Sequence, residues 1–128
     1  MKYLIDTHVL IWFAEGNSQL PLPIQQLISS PENDIFVSHV CFWEIAIKIS
    51  IGKLKMTKSL SELGASLQEN GFSALSTKLQ HFEVLMSLPF HHQAPFDRLI
   101  IAQAIGEDMT IISHDAQFQS YPVRLLHF

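Results

Sequence analysis

The sequence predicts an α/β fold in which helices cover both faces of a central parallel sheet, giving a three-layer α/β/α sandwich. Short apolar runs of strand length alternate with longer segments of helical character, which is the pattern that a parallel sheet requires. The connections between these segments are short, as such a fold prefers. A chain of 128 residues, 48% of them hydrophobic, suffices for one packed domain, which we expect to span residues 1–128.

Five strands are expected from apolar runs that are bounded by polar or turn-forming residues. The first run, residues 3–5, opens the chain and ends directly before Asp6. The other strands are expected at residues 34–37, 72–75, 109–112 and 123–126, and the pattern is weakest at 72–75.

Six helices are expected between these strands, several of them with recognisable start or stop signals. Ser38 is placed to cap the third helix, and Ser59 with Glu62 has the spacing of a capping box at the start of the fourth. Pro95 can occupy the first position of the sixth helix, which Gly106 is expected to end. The helices are expected at residues 7–14, 24–30, 40–51, 59–70, 76 or 77 to 88, and 95–105.

The composition limits the compartment in which the protein is expected. No run approaches the roughly 20 apolar residues that a membrane span needs, and Asp6 comes too early for a secretory signal. The single cysteine, Cys41, excludes an internal disulfide and fits a reducing environment. We therefore expect a cytoplasmic protein without membrane contact, in which Cys41 is a small buried hydrophobe.

The formal net charge of -4 argues against a general nucleic-acid coat protein, because such proteins depend on a basic surface. It does not exclude a nuclease, whose site is acidic and binds phosphate through metal. The basic residues are bunched, with lysines at positions 48, 53, 55 and 58. We interpret this run as a solvated helix end and loop; a patch that steers substrate is the alternative.

Four acidic residues are expected to meet at one edge of the sheet. Asp6 follows the first strand directly, and Asp115 follows the strand at residues 109–112 by a short step. Glu44 lies in the helix that leaves the second strand, and Asp97 lies in the first turn of the helix at residues 95–105. Because ligands bind at the carboxyl ends of parallel strands, these four are candidates for a common site.

Each of the four acids also has a structural alternative. Asp is a favoured helix cap, which would explain Asp6 and Asp115, and an acid in a first turn such as Asp97 complements the helix dipole. Glu44 precedes Lys48 by four residues, the spacing of a common surface ion pair. The alternatives weaken when the set is taken together, because Asp6 and Glu44 lie in apolar segments and buried charges need a partner.

A divalent cation would be a suitable partner. Clustered carboxylates repel one another, and an all-oxygen ligand set selects Mg²⁺, or else Mn²⁺, over zinc. Such a cation polarises a phosphoryl oxygen and generates hydroxide from bound water, so the set suits phosphodiester hydrolysis. Thr7 and Ser113, each next to an acid, are candidates to hydrogen-bond a carboxylate or a metal-bound water; ordinary capping is the alternative.

Four segments resemble the motifs of PIN-domain proteins, in the same order and over nearly the whole chain. They are residues 4–8, residues 37–48 continued by 51–54, residues 95–104, and residues 112–115 followed by Phe118 and Tyr121. Within that family the sequence is most similar to VapC-type toxins of bacterial toxin–antitoxin pairs. The resemblance implies a Mg²⁺-dependent endoribonuclease that acts on RNA, forms a homodimer and is blocked by an antitoxin.

The resemblance also suggests roles for the four acids. Asp6 and Asp97 would be the direct metal ligands, and Glu44 and Asp115 would complete the site. One position departs from the family pattern, because related sequences often carry Asp where this chain has Ala94. The alternative hypothesis is therefore a catalytically weak RNA-binding protein or an antitoxin-sequestered regulator. Ala94 and the negative net charge both motivate this alternative.

The remaining polar and aromatic residues give weaker signals. Seven histidines lack the spacing of a structural zinc motif, and only His114, beside Asp115, is a candidate for a minor role. Arg98 is expected to contact phosphate or an antitoxin acid, or to form a structural ion pair. Trp12 and Trp43 are expected to pack in the core, with a dimer interface as the alternative. The expected core stripe of the third helix consists of Val40, Trp43, Ile47 and Ile51.

Overall fold

The computed structural model describes residues 1–128 and contains five strands and six α-helices. The strands are β1 (Lys2–Ile5), β2 (Asp34–Ser38), β3 (Ser73–Leu75), β4 (Thr110–Ser113) and β5 (Leu125–His127). The helices are α1 (Thr7–Glu15), α2 (Leu22–Ser29), α3 (His39–Ser50), α4 (Leu60–Glu69), α5 (Leu79–Ser87) and α6 (Pro95–Glu107). A short 3₁₀ helix, Ala116–Ser120, follows β4.

All strands are parallel and form one sheet in the order β3-β2-β1-β4-β5. The predicted three-layer α/β/α sandwich is confirmed. The chain first adds strands on one side of β1 and then returns to place β4 on its other side. The carboxyl ends of β1 and β4 therefore flank the point where the strand order reverses, which is where open α/β sheets bind ligands.

The two central strands are buried almost throughout. Leu4 and Ile5 of β1 and Ile111 and Ile112 of β4 are inaccessible to solvent. Strands covered by helices on both faces favour such continuous apolar runs, and each large aliphatic side chain contributes about 1.5–3 kcal/mol on burial. This burial fixes the ends of β1 and β4, and thereby the positions of Asp6 and Asp115, which follow them.

Helix α6 extends beyond its predicted end, and the expectation that Gly106 ends it is wrong. Asp108 takes the left-handed conformation, with φ of 57°, that closes the helix. Gly106 lies in the last turn, where an added Cβ would come within 3.3 Å of the His81 ring. The glycine is thus explained by the close packing of α5 on α6 rather than by the helix end.

Helix α3 buries a different face from the predicted one. Its buried residues are Val40, Cys41, Glu44 and Ile45. Trp43 is 57% exposed and contacts Phe96 edge-on, with ring centroids 4.9 Å apart, so its assignment to the core is wrong. The predicted stripe contains only apolar residues, and it therefore misses the face that is buried in the structure, because Glu44 lies on that face.

The other local predictions agree with the structure. Ser38 caps α3, and Ser59 and Glu62 form the capping box of α4. Cys41 is fully buried, and burial raises the pKa of its thiol to about 12. Trp12 is half-buried and packs against the core. The longest helix has 13 residues, and none has the length and apolar character of a membrane-spanning segment.

Candidate functional site

Asp6 lies at the carboxyl end of β1 and begins helix α1. Its Oδ1 accepts a hydrogen bond from the backbone N–H of Val9 at 2.9 Å, so it does cap the helix. Its Oδ2 accepts a second bond from the Ser113 hydroxyl, at 2.5 Å, from the end of β4. Asp6 is only 3% exposed. Burial raises the pKa of this carboxyl, while the bonds from Ser113 and Val9 act in the opposite direction.

Glu44 lies on the buried face of α3, turned toward the start of α1. The Thr7 hydroxyl donates to its Oε1 at 2.6 Å, and the Lys48 ammonium donates to its Oε2 at 2.6 Å. The ion pair that the four-residue spacing indicates is therefore present, although Glu44 itself is buried. Thr7 and Ser113 both hydrogen-bond a carboxylate, which is one of the roles predicted for them.

Asp115 follows β4 and caps the 3₁₀ helix. Its Oδ1 accepts from the backbone N–H of Gln117 at 2.9 Å, and its own N–H donates to the Ser113 hydroxyl at 3.0 Å. The Ser113 hydroxyl in turn donates to Asp6. Ser113 thus links the acid after β1 to the acid after β4.

Asp97 lies in the first turn of α6 and differs from the other three acids, because its carboxylate receives no hydrogen bond from the chain. Its side chain is 23% exposed. Burial, followed by the negative charges of Glu44, Asp6 and Asp115, raises the pKa of Asp97 to about 7. The same three residues that sequence reasoning grouped with Asp97 are therefore close enough to oppose its ionisation.

The donor chemistry of this site fits a hard divalent cation. Its oxygens all come from carboxylates, and a cation would offset the repulsion that, together with burial, raises the pKa of Asp97. The geometry is not that of a completed cage, since no three His, Cys, Asp or Glu side chains are arranged around one point. In the metal-free site the carboxylate oxygens have partners from the chain instead: Ser113 and Val9 donate to the two oxygens of Asp6, and Thr7 and Lys48 to the two of Glu44.

A family model for the PIN domain matches residues 3–123, which include all four acids. The chain belongs to the PIN-domain family. PIN domains are nucleases and generally use divalent metal ions. The comparison with curated proteins gives no match.

Solved structures share the fold of this PIN domain at low sequence identity. VapBC2 from Rickettsia felis, bound to a DNA fragment from their promoter, has a TM-score of 0.77 and 19% identity, covering 99% of this chain and 98% of that one. VapBC-1 from nontypeable Haemophilus influenzae has a TM-score of 0.69 and 16% identity, with 99% and 98% covered. VapBC-5 from Mycobacterium tuberculosis has a TM-score of 0.65 and 17% identity, with 99% and 98% covered.

Arg98 has a role in this PIN domain that sequence reasoning did not predict. The side chain is buried, donates to the Pro89 carbonyl at 2.9 Å and to the Tyr121 hydroxyl at 3.2 Å, and lies 4.2 Å from the centre of the Phe90 ring. It forms neither the expected ion pair nor a surface that could meet phosphate or an acidic partner. Arg98 fixes the segment before α6 instead.

The histidine nearest the acids is His92, not His114. The His92 Nε2 atom lies 3.6 Å from Asp97 Oδ2, whereas His114 is exposed and stacks on His127. Burial lowers the pKa of His92. No spacing rule indicates this contact, because His92 lies in the irregular segment before α6; the position of that segment depends on Arg98 and Tyr121.

Three of the bunched lysines line a groove of about 570 Å³ beside the acidic site of this PIN domain. Lys48, Lys53 and Lys55 face into it together with Trp12 and His8. Thr7, which donates to Glu44, also lines the groove. The groove therefore runs up to the acids, an arrangement that a solvated helix end alone does not require.

Proposed function

We propose that this PIN domain is a Mg²⁺-dependent endoribonuclease, with Mn²⁺ as a possible substitute, and the toxin of a toxin–antitoxin pair. The observation that carries the proposal is the convergence of carboxylates from separate segments of the chain: Ser113 links Asp6 to Asp115, and Thr7, next to Asp6, donates to Glu44. Asp97 lies close enough to this group that, in addition to burial, the charges of Glu44, Asp6 and Asp115 raise its pKa. A site that gathers four carboxylates and lets them oppose one another is suited to a cation.

In this proposal Asp6 and Asp97 hold the ion directly, and Glu44 and Asp115 complete its surroundings, directly, through water or at a second ion. When bound, the ion polarises a phosphoryl oxygen and lowers the pKa of a water molecule. The Ser113 hydroxyl holds Asp6 in place, and the Thr7 hydroxyl does the same for Glu44. Lys48 neutralises Glu44 in the metal-free site, so it competes with a cation there.

The lysine-lined groove is the proposed path of the RNA. Exchanging Lys53 and Lys55 for Gln should weaken RNA binding by roughly tenfold and reduce its salt dependence, because a side chain without charge releases no counterions from the phosphates. Binding is measured by fluorescence anisotropy at several salt concentrations, with catalysis blocked by EDTA.

A matched control is Lys2→Gln, because Lys2 is an exposed lysine at the opposite end of β1 from the acids. This control should bind like the unchanged protein. If the Lys53/Lys55 double variant binds RNA with the same affinity and the same salt slope as the control, the groove is not the substrate path.

The proposed homodimer and antitoxin contacts need apolar surface outside the acidic site. Leu79, Phe82 and Met86 lie on one side of α5 and are 80%, 44% and 85% exposed. This stripe supports a dimer interface, which sedimentation equilibrium would measure; a strictly monomeric chain would contradict it. The antitoxin is expected as the product of a small adjacent gene that co-purifies with this chain.

The alternative function is an RNA-binding or antitoxin-sequestered protein with weak catalysis. It is favoured by the incomplete cage around the acids and by Ala94, which caps α6 without a side-chain hydrogen bond. In this case the groove would bind RNA, and turnover would be absent.

Incubation of the purified protein with transfer RNA and messenger RNA, with Mg²⁺ or with EDTA, separates the two functions. The nuclease cuts internally with Mg²⁺ and does not cut with EDTA. Binding without cleavage at any Mg²⁺ or Mn²⁺ concentration supports the alternative, and cleavage that persists in EDTA rejects the metal site.

A further inference from the structure

The hydroxyl of Tyr121 has three polar contacts. Their number determines which nitrogen of the His92 ring carries the proton. The hydroxyl accepts from the backbone N–H of His92 at 3.3 Å and from Arg98 Nη1 at 3.2 Å. Its third contact is His92 Nδ1, at 2.6 Å. A phenol oxygen has one proton and at most two acceptor positions, so the proton of Tyr121 must be donated to Nδ1.

The protonation of the His92 ring follows from this count. Because Nδ1 accepts a hydrogen bond, it carries no proton, and the single proton of the neutral ring is on Nε2. The His92 side chain is only 10% exposed, and its Nε2 atom is buried without a hydrogen-bond partner in the chain. Leaving a buried donor unpaired is unfavourable, so such groups call for an explanation.

The nearest acceptor is Asp97 Oδ2, at 3.6 Å from His92 Nε2. Asp97 is also the one acid of the four whose carboxylate lacks a donor, while Asp6 has Ser113, Glu44 has Thr7, and Asp115 has the N–H of Gln117. An unpaired donor and an unpaired carboxylate therefore face each other just beyond hydrogen-bond distance.

We propose that His92, held by Tyr121 with its proton on Nε2, is the residue that positions Asp97 in the loaded metal site. Donation from Nε2 to Oδ2 orients the carboxylate and leaves its other oxygen for the cation. Carboxylates that bind metals are usually hydrogen-bonded in this way, and removing such a partner typically weakens metal binding 10–100-fold. The inference rests on the proposed metal site, and Tyr121 and Arg98 belong to it as the anchor of the ring.

Metal affinity of three His92 and Tyr121 variants tests this role without reference to cleavage. Mn²⁺ binding is measured by electron paramagnetic resonance on the full chain. His92→Phe keeps a ring but has no donor, and should bind about tenfold more weakly; His92→Gln retains an N–H near the position of Nε2 and should stay within about threefold of the unchanged protein. Tyr121→Phe should weaken binding by an intermediate factor.

His91→Ala is the matched control. His91 is the adjacent histidine and contacts the Tyr121 ring edge-on, at 5.0 Å between centroids, but forms no hydrogen bond with its hydroxyl. Its variant should bind Mn²⁺ normally. Equal affinities of His92→Phe and His91→Ala would overturn the positioning role.

The ring proton itself provides a second readout on the unchanged, metal-free protein. Nitrogen-15 spectra of histidine-labelled protein, assigned through the disappearance of one signal in His92→Gln, should show a neutral ring with the proton on Nε2. A proton on Nδ1 would overturn the inference even if every variant failed to fold.

Asp97→Asn separates this inference from the proposed function. If Asp97→Asn loses Mn²⁺ binding and His92→Phe does not, only the positioning role is wrong. If Asp97→Asn binds Mn²⁺ as tightly as the unchanged protein, the proposed metal site is wrong, and the positioning role of His92, which depends on that site, is rejected too.

Discussion

Asp97→Asn is expected to abolish Mg²⁺-dependent RNA cleavage and, at the same time, to make the metal-free protein more stable at pH 8. Cleavage should fall by about 10³-fold or more, because a direct metal ligand supports several kcal/mol of transition-state charge stabilisation. The stability gain follows from removing a carboxylate whose ionisation is opposed first by burial and then by the charges of three neighbouring acids. Cleavage is measured on RNA with saturating Mg²⁺, and the free energy of unfolding by urea denaturation in EDTA.

The pH dependence of the stability gain has a definite sign. Asp97 holds its proton up to a pKa of about 7 in the folded protein but releases it near pH 3.9 when unfolded. Between these pH values the folded state binds more protons than the unfolded state, so the free energy of unfolding falls as the pH rises. The contribution of Asp97 to stability is therefore complete below about pH 4 and is lost as the pH rises through 7. The difference between the two pKa values corresponds to a change of roughly 4 kcal/mol in the free energy of unfolding. We expect about 2 kcal/mol, because the Asp97 side chain is 23% exposed and partly screened by solvent.

The comparison of unchanged protein and Asp97→Asn at pH 5 and pH 8 isolates this contribution from other titrating groups. Asp34→Asn is the matched control, because Asp34 is an exposed aspartate at the start of β2, at the far end of the sheet from the acids. The control should alter neither cleavage nor the pH dependence of stability. An Asp97→Asn protein that is no more stable at pH 8 than the unchanged one would contradict the electrostatic account.

Arg98→Met is expected to lower the free energy of unfolding by about 2 kcal/mol, the largest stability loss that we predict for one exchange. Methionine keeps the apolar stem but removes the hydrogen bonds to the Pro89 carbonyl and the Tyr121 hydroxyl and the interaction with the Phe90 ring. Urea denaturation measures the loss, and nitrogen-15 spectra of the variant should show that His92 no longer has a fixed proton position.

Arg124→Met is the control for Arg98→Met. Arg124 also makes two hydrogen bonds, both to Asp108, but its side chain is 60% exposed and that of Asp108 is 90% exposed. Ion pairs of this kind contribute little to stability. If both methionine variants lose the same stability, burial of Arg98 is not the reason for its effect.

The sequence is sufficient to predict the sheet and to place two of the four acids at its edge. Strand β1 is an uninterrupted apolar run that ends at an aspartate, and the rule that parallel strands end at a common edge then locates Asp6 and Asp115. Glu44 is harder to place, because a buried face chosen from the apolar residues of its helix does not include it. In the structure Glu44 lies on the buried face of α3, and the adjacent Trp43 is exposed.

Side-chain partners could not be predicted where they depend on irregular backbone. His92 meets Asp97, and Arg98 meets Pro89, because residues 88–94 fold back over the start of α6. No periodicity describes such a segment, and the residue pairs that it brings together have no fixed spacing. The hydrogen bonds that engage Asp6 and Glu44 come from regular elements instead, and the sequence does indicate them, through the capping position of Asp6, the four-residue spacing of Glu44 and Lys48, and the hydroxyls of Thr7 and Ser113 next to the acids.

The strand order has a consequence for how the protein is made. Strand β1 is synthesised before the other four strands, yet one of its two neighbours, β4, begins only at Thr110. The centre of the sheet thus stays open on one side until β4 has been synthesised, and the Ser113 hydroxyl that donates to Asp6, 107 residues further along the chain, becomes available only then. A nascent chain that stops before β4 lacks Ser113 and Asp115, so the four acids can come together only after β4 has been synthesised.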